Sequence, residues 1–191
     1  MTEIRAVIFD MDGTLTRPYL DFPAIRKAIG IPEPLLENML ELPPGAERDR
    51  AFSILERFED EAAEASELND GARDVLGFLS SRGIPSGLVT RNSRRSTDTV
   101  LRKHTLSFEI VVTREDAPAK PRPEPLWLIC EKFGVKPPQA MMVGDFKFDI
   151  VAGRNAGTRT ALLTNGKTPP YLKEVPPDHL LHSLSDLLRL F

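Results

Sequence analysis

Ile4–Arg5–Ala6–Val7–Ile8–Phe9–Asp10–Met11–Asp12–Gly13–Thr14 is the stretch on which the fold turns. An apolar run broken only by Arg5 ends in two carboxylates one residue apart, then a glycine and a hydroxyl. A continuous apolar run of this length reads as a strand covered on both faces, as in a parallel sheet. In open α/β sheets, ligands bind beyond the carboxyl ends of the strands. Asp10 falls just past the strand and Asp12 on the following loop, where two carboxylates can converge on one small target. Gly13 allows a backbone direction that other residues resist.

The segment after this strand is helical in pattern. Residues 17–23 carry two prolines and read as a connector. A short helix is expected over 24–29, stopped by Gly30. Leu35, Leu36, Met39, Leu40 and Leu42 suit one face of a second helix. Pro43–Pro44–Gly45 breaks it, and residues 46–68 form a third with Phe52, Leu55, Phe58, Ala62 and Ala65 as its stripe. The next strand comes about seventy residues after the first, far more than a simple βαβ crossover needs. Residues 17–68 are therefore expected to be a small helical cap inserted into a core made of 1–16 and 69–191. Beside the first loop, a cap can exclude water and select substrate. Arg17, Tyr19, Arg26, Arg48 and Arg50 are the candidate selectors there.

The remainder alternates helix and strand. A helix carrying Val75, Leu76, Phe78 and Leu79 leads to a strand over 84–90 that ends at Thr90. Asn92 or Ser93 can cap the next helix, 94–104. A hydroxyl and backbone N–H groups at such a junction make a phosphate seat. A third strand spans 108–112. The alternating prolines around Lys120 stiffen the next loop and fix that cation in place. Leu126, Ile129, Cys130 and Phe133 face inward from the following helix. The fourth strand ends in Gly144–Asp145, with Asp149 four residues on; a helix beginning by Phe148 lets both acids face one pocket. A fifth strand is expected over 159–163, then a loop over 164–170, an edge strand over 180–184 and a terminal helix over 184–190. The predicted fold is α/β: a Rossmann-like three-layer α/β/α core with a mostly parallel sheet and the small all-helical cap after its first strand.

Bulk properties narrow the function. The 191 residues carry Lys+Arg 25 against Asp+Glu 28, a formal net charge of -3, so no nucleic-acid partner is expected. One cysteine precludes an internal disulfide and fits a reducing compartment. No targeting run opens the chain and no stretch is long enough to span a bilayer, so the expectation is a cytoplasmic monomer or homodimer with no membrane partner. Cys130, His104, His179 and His182 read as core or surface residues. Gly166–Lys167–Thr168 has only the tail of a P-loop pattern.

Asp10, Asp12, Asp145 and Asp149 would gather heavy negative charge in a small volume. A hard divalent cation resolves it, and magnesium accepts oxygen ligands together with a substrate phosphate. Lys120 and the N–H groups around Thr90 would complete the clamp on the phosphoryl oxygens.

With Asp10–Met11–Asp12–Gly13–Thr14, Thr90, Lys120 and Gly144–Asp145…Asp149 in this order, residues 4–163 resemble the haloacid dehalogenase-like hydrolase superfamily. The cap is like that of its phosphoglycolate phosphatase and β-phosphoglucomutase branch. The resemblance implies a Mg2+-dependent phosphomonoester hydrolase acting on a small phosphorylated metabolite. Asp10 would be the nucleophile and Asp12 the general acid/base. Thr90, Arg91, Asn92 and Lys120 would serve the substrate or its phosphate. Asp10, Asp12 (through its backbone carbonyl), Asp145 and Asp149 would serve the metal. An acid at Asp12 favours phosphoryl chemistry over dehalogenation. The alternatives are a phosphomutase using the same phosphoaspartate, or a non-enzymatic binding module on the same fold.

Overall fold

The computed structural model describes residues 3–191. Ala6–Phe9 forms β1, its four residues all buried. Alternate side chains of a strand point to opposite faces, and that alternation sorts the core. Val7 and Phe9 join one apolar cluster, while Ala6 and Ile8 join another on the opposite face. The helices that follow supply the covering layers. They are α1 (Phe22–Ile29), α2 (Leu35–Glu41), α3 (Ala46–Ala65), α4 (Ala72–Ser81), α5 (Arg94–His104), α6 (Glu124–Phe133) and α7 (Lys147–Ala156). The other strands are β2 (Ser86–Val89), β3 (Ile110–Val112), β4 (Ala140–Gly144), β5 (Arg159–Leu163) and β6 (His179–Leu181).

The sheet runs β3-β2-β1-β4-β5-β6 and every pairing is parallel. It is thus wholly rather than mostly parallel. β1 lies between β2 and β4, with Phe9 opposite Leu88 on one side and Val143 on the other. Strand order reverses beside β1, which is where such sheets open a ligand crevice. Val75 and Leu79 of α4, Val100 of α5, and Leu184 and Leu187 cover one face. Leu126, Ile129 and Cys130 of α6, with Ala152 and Ala156 of α7, cover the other. Cys130 is a core residue, and burial pushes its thiol up to about 11.

Helices α1 to α3 have a cluster of their own, built from Ile25, Leu35, Leu36, Met39, Ala51 and Leu55. The chain leaves and returns to the sheet side by side: the Arg17 N–H donates to the Glu67 carbonyl (2.9 Å) and the Asn69 N–H to the Leu15 carbonyl (2.8 Å). Helix α3 also packs along α5.

Several boundaries differ from the sequence expectation. Helix α1 starts at Phe22, because Asp21 caps it by accepting from the Ala24 N–H and Pro23 sits in its first turn, where no N–H is needed. The expected loop over 164–170 gives way at its end to a 3-10 turn, Pro170–Lys173. The terminal helix, Leu184–Leu190, is likewise 3-10 rather than α.

Candidate active site

Asp10 and Asp145 follow the adjacent strands β1 and β4, so strand pairing sets them side by side. The Asp10 N–H still donates to the Val143 carbonyl (2.9 Å), which fixes the nucleophile candidate to the sheet. Two glycines make room for the acids. A Cβ on Gly13 would fall 2.1 Å from Asp145 Oδ2, and one on Gly144 would fall 2.2 Å from Asp149 Cγ. Gly13 also has φ +81°, a left-handed conformation that side chains resist.

Lys120 is almost fully buried (1 % exposed) and reaches into this cluster. Its Nζ lies 2.5 Å from Asp10 Oδ1, 2.7 Å from Asp149 Oδ1 and 3.1 Å from the Val89 carbonyl. Burial works against its charge, but Asp10 and Asp149 together raise its pKa above the ordinary lysine value. Asp149, in the first turn of α7, also reaches back to accept from the Phe146 N–H (3.0 Å) that starts the helix.

One cation faces several acids, and the excess shows. Burial drives Asp10 upward, and Asp149 and Asp12 add to the effect against the pull of Lys120. Asp145 rises well above the usual carboxylate range, first from burial and then from the charges of Asp10 and Asp149. Oxygens of Asp10, Asp145 and Asp149 lie within 4.8 Å of one another. Hard oxygen ligands with uncompensated charge, so close together, suit a divalent cation such as magnesium. The Asp12 carboxylate lies outside that group.

Asp12 points elsewhere. Asn92 Nδ2 donates to its Oδ2 at 2.6 Å. Burial is the main cause that lifts Asp12 to about 6; the Asn92 hydrogen bond opposes the rise and the nearby Glu59 charge adds to it. A carboxyl poised near neutrality is suited to giving and taking protons. Thr90 is buried at the end of β2, and its hydroxyl accepts from the Asn92 N–H (3.1 Å). Ser93 is the cap of α5, accepting from the Ser96 N–H.

Arg91 ties the loop after β2 to helix α2. It pairs with Glu37 of α2 through both guanidinium nitrogens (2.9 and 3.0 Å), donates to the Lys120 carbonyl, and lies over the Phe148 ring at 4.6 Å. Of the candidate selectors in the helical segment, Arg17, Arg26 and Arg48 are engaged outside this cluster and Arg50 is exposed. Arg17 pairs with Glu67 and Asp70, Arg26 pairs with Glu33, and Arg48 lies over Phe52. Tyr19 is exposed.

Three supports of the site escape a reading of the sequence. Glu59 of α3 is buried, accepts from the Ser93 N–H (3.1 Å) and pairs with Arg114 of the loop after β3. It does carry a signal: Glu59 falls between Leu55 and Ala62 at helical spacing, a carboxylate within an apolar stripe. Asn165 donates to the Gly13 carbonyl (2.7 Å), and Asn69 to the Thr14 carbonyl (3.1 Å) and to Asn165 Oδ1 (3.0 Å). These amides brace the loop that carries Asp12. They come from sequence positions far from it, and no local pattern announces them.

Comparison with known proteins agrees with this architecture. The family model for haloacid dehalogenase-like hydrolases matches residues 24–163. A haloacid dehalogenase-like hydrolase domain-containing protein of Arabidopsis thaliana is 33% identical, covering 99% of this chain and 84% of that protein. The N-acetylmuramic acid 6-phosphate phosphatase of Pseudomonas aeruginosa is 31% identical over 87% of this chain and 84% of its own length. A hydrolase from Pseudomonas syringae superposes with a TM-score of 0.81 at 21% identity, covering 97% of this chain and 96% of that one.

Proposed function

This chain belongs to the haloacid dehalogenase-like hydrolase family, and on that footing we propose that it is a magnesium-dependent phosphomonoesterase working through an aspartyl-phosphate on Asp10. The observation that carries the reading is the Asp10–Lys120–Asp149 bridge beside Asp145, at the ends of two paired strands. Phosphoryl transfer through an aspartyl-phosphate would use a carboxylate nucleophile, a cation seat and a fixed ammonium together.

Asp10, Asp145 and Asp149, with the backbone carbonyl of Asp12, would hold magnesium. When bound, the ion would offset the charge of the acids and of an incoming phosphate. The chain's own residues do the rest. An Asp10 oxygen attacks phosphorus as the bond to the leaving oxygen breaks, and Asp12 gives that oxygen its proton. Asp12 then takes a proton from water, whose oxygen attacks the phosphorus and frees Asp10. Lys120 and the Thr90 hydroxyl hold phosphoryl oxygens, while Asn92 orients Asp12. Residues 17–68 act as a small cap over this site, with 1–16 and 69–191 as its core. The substrate is a small phosphorylated metabolite, as the name of the Pseudomonas aeruginosa relative also suggests for that protein.

The test is phosphate release from a panel of phosphate esters, with magnesium and with chelator. Release that depends on the metal and is lost in Asp10→Asn supports the reading. Transfer of phosphate to another hydroxyl of a sugar instead would favour a mutase. No turnover of any ester would favour a binding module.

A further inference from the structure

Asn92 is held from both sides by two residues that bond to neither Asp10 nor Asp12. Its side-chain amide donates to Asp12 Oδ2 at 2.6 Å, and its N–H donates to the Thr90 hydroxyl at 3.1 Å. Before it in the chain, the Arg91 carbonyl accepts from Arg114 Nη1 at 3.1 Å. The Asn92 carbonyl accepts from the Arg114 N–H at 3.4 Å. After it, the Ser93 N–H donates to Glu59 Oε2 at 3.1 Å. Glu59 Oε1 closes the circuit by accepting from Arg114 Nη1.

Glu59 reaches this loop from α3. It lies on the buried side of that helix with Leu55, Ala62 and Ala63, and the helix packs along α5. Its side chain is 2 % exposed and that of Arg114 6 %. Both carboxylate oxygens are committed, one to the start of α5 and one to the loop after β3. Stability alone does not account for such a pair, because well-packed apolar side chains in its place are often as stable or more so. Charge-assisted hydrogen bonds to a backbone N–H and a guanidinium fix a direction as well as a distance. The direction fixed here is that of the backbone around Asn92, and therefore of the bond that carries its side chain.

We propose that Glu59 is a positioning residue for proton transfer at Asp12: with Arg114 it holds the backbone on both sides of Asn92 and so aims the Asn92 amide at the Asp12 carboxylate. The proposal rests on the phosphatase reading, in which Asp12 gives and takes the proton, and assigns part of that step to a residue of the helical segment. A small rotation of the backbone at Asn92 carries the amide away from Asp12. A misplacement of about 1 Å that starts far from the reacting atoms can cost on the order of a hundredfold in rate. Glu59→Gln puts an amide nitrogen where one of two acceptors stood, so either the Ser93 N–H or the Arg114 guanidinium loses its partner.

The experiment is a double-mutant cycle in kcat per folded protein, with magnesium present. It uses whichever ester the wild type hydrolyses fastest from a panel of alkyl phosphates and para-nitrophenyl phosphate. Asn92→Ala and Glu59→Gln should each lower kcat by about tenfold or more. In the Asn92→Ala background, Glu59→Gln should change kcat by less than about threefold, because the residue it acts through is already gone. Glu59→Ala/Arg114→Met, which strands no buried charge, should be more stable than Glu59→Ala and yet keep the low kcat; it replaces Glu59→Gln in the cycle should that variant not fold. An unchanged kcat in Asn92→Ala or Glu59→Gln overturns the proposal and leaves the phosphatase reading standing. So does an equal loss from Glu59→Gln in both backgrounds, or a kcat that returns together with stability in the Arg114→Met double variant. Hydrolysis of no ester by the wild type overturns the phosphatase reading and the proposal with it.

Discussion

Gly13 and Asp145 occupy one space: the position of a Cβ on Gly13 lies 2.1 Å from the Asp145 carboxylate oxygen. The loop after β1 and the loop after β4 approach each other this closely only because residue 13 has no side chain. Gly13→Ala must therefore displace Asp145 and also strain a backbone at φ +81°. A loss of roughly 1–2 kcal/mol is expected from the conformation alone. In urea unfolding the variant should show this modest loss, whereas its metal-dependent turnover should fall far more steeply.

Lys120 is the only cation within hydrogen-bond reach of Asp10 and Asp149 among the described residues. Removing it strands two buried carboxylates. Breaking a buried pair by deleting one partner costs about 3–5 kcal/mol. Lys120→Met should lose stability on that scale in metal-free buffer and should not turn over phosphate esters. A variant as stable as the wild type would show that the bridge is not formed in solution.

Glu59 and Arg114 make a second buried pair, one member on α3 and the other on the loop after β3. Glu59→Ala should destabilise the protein by roughly 3–5 kcal/mol, because it leaves Arg114 buried without its partner. The double variant Glu59→Ala/Arg114→Met should recover much of that loss. Additive losses in chemical unfolding would contradict a direct coupling.

Asp116 ties down the loop that leads to Lys120. It accepts from the Thr113 N–H and hydroxyl (both 2.7 Å) and from Arg94 (2.5 Å). Burial raises its pKa, but these donors outweigh it and hold the carboxyl below its ordinary value. A depressed folded pKa gives stability that is present above the unfolded value of about 3.9 and lost as pH falls through the folded one. The stability difference between wild type and Asp116→Asn should accordingly be largest near neutrality and shrink below about pH 4. Urea unfolding at several pH values measures it.

What the sequence makes legible follows from the range of the interactions. The strand ends that carry Asp10, Thr90 and Asp145 announce themselves locally, as apolar runs stopped by a polar residue or glycine. Lys120 stands out because prolines bracket it. The cap Ser93 lies at the start of its own helix, and Asp149 is legible as an acid four residues after Asp145. What stays hidden depends on contacts across the chain. Nothing near Asn165 says that its amide reaches the Gly13 carbonyl 152 positions away in sequence. Glu37 reads as a surface charge on a short helix, and only the fold sets it on Arg91. The 3-10 turn at Pro170–Lys173, and the 3-10 rather than α form of the helix expected over Leu184–Leu190, stay hidden for another reason: such short segments have too few repeats to show a period.

Phosphorylation of Asp10 is the step on which the proposed chemistry depends, and covalent trapping would reveal it. Asp12→Asn should slow release of phosphate from Asp10, so the intermediate should accumulate when this variant meets, with magnesium, an aryl phosphate whose leaving group departs without a proton. Acid quenching followed by borohydride reduction would convert an aspartyl-phosphate to homoserine, and peptide mass spectrometry would locate it. Homoserine at position 10 is the expected outcome. Turnover in the wild type with no covalent phosphate at position 10, or with the phosphate on another residue, would refute the mechanism.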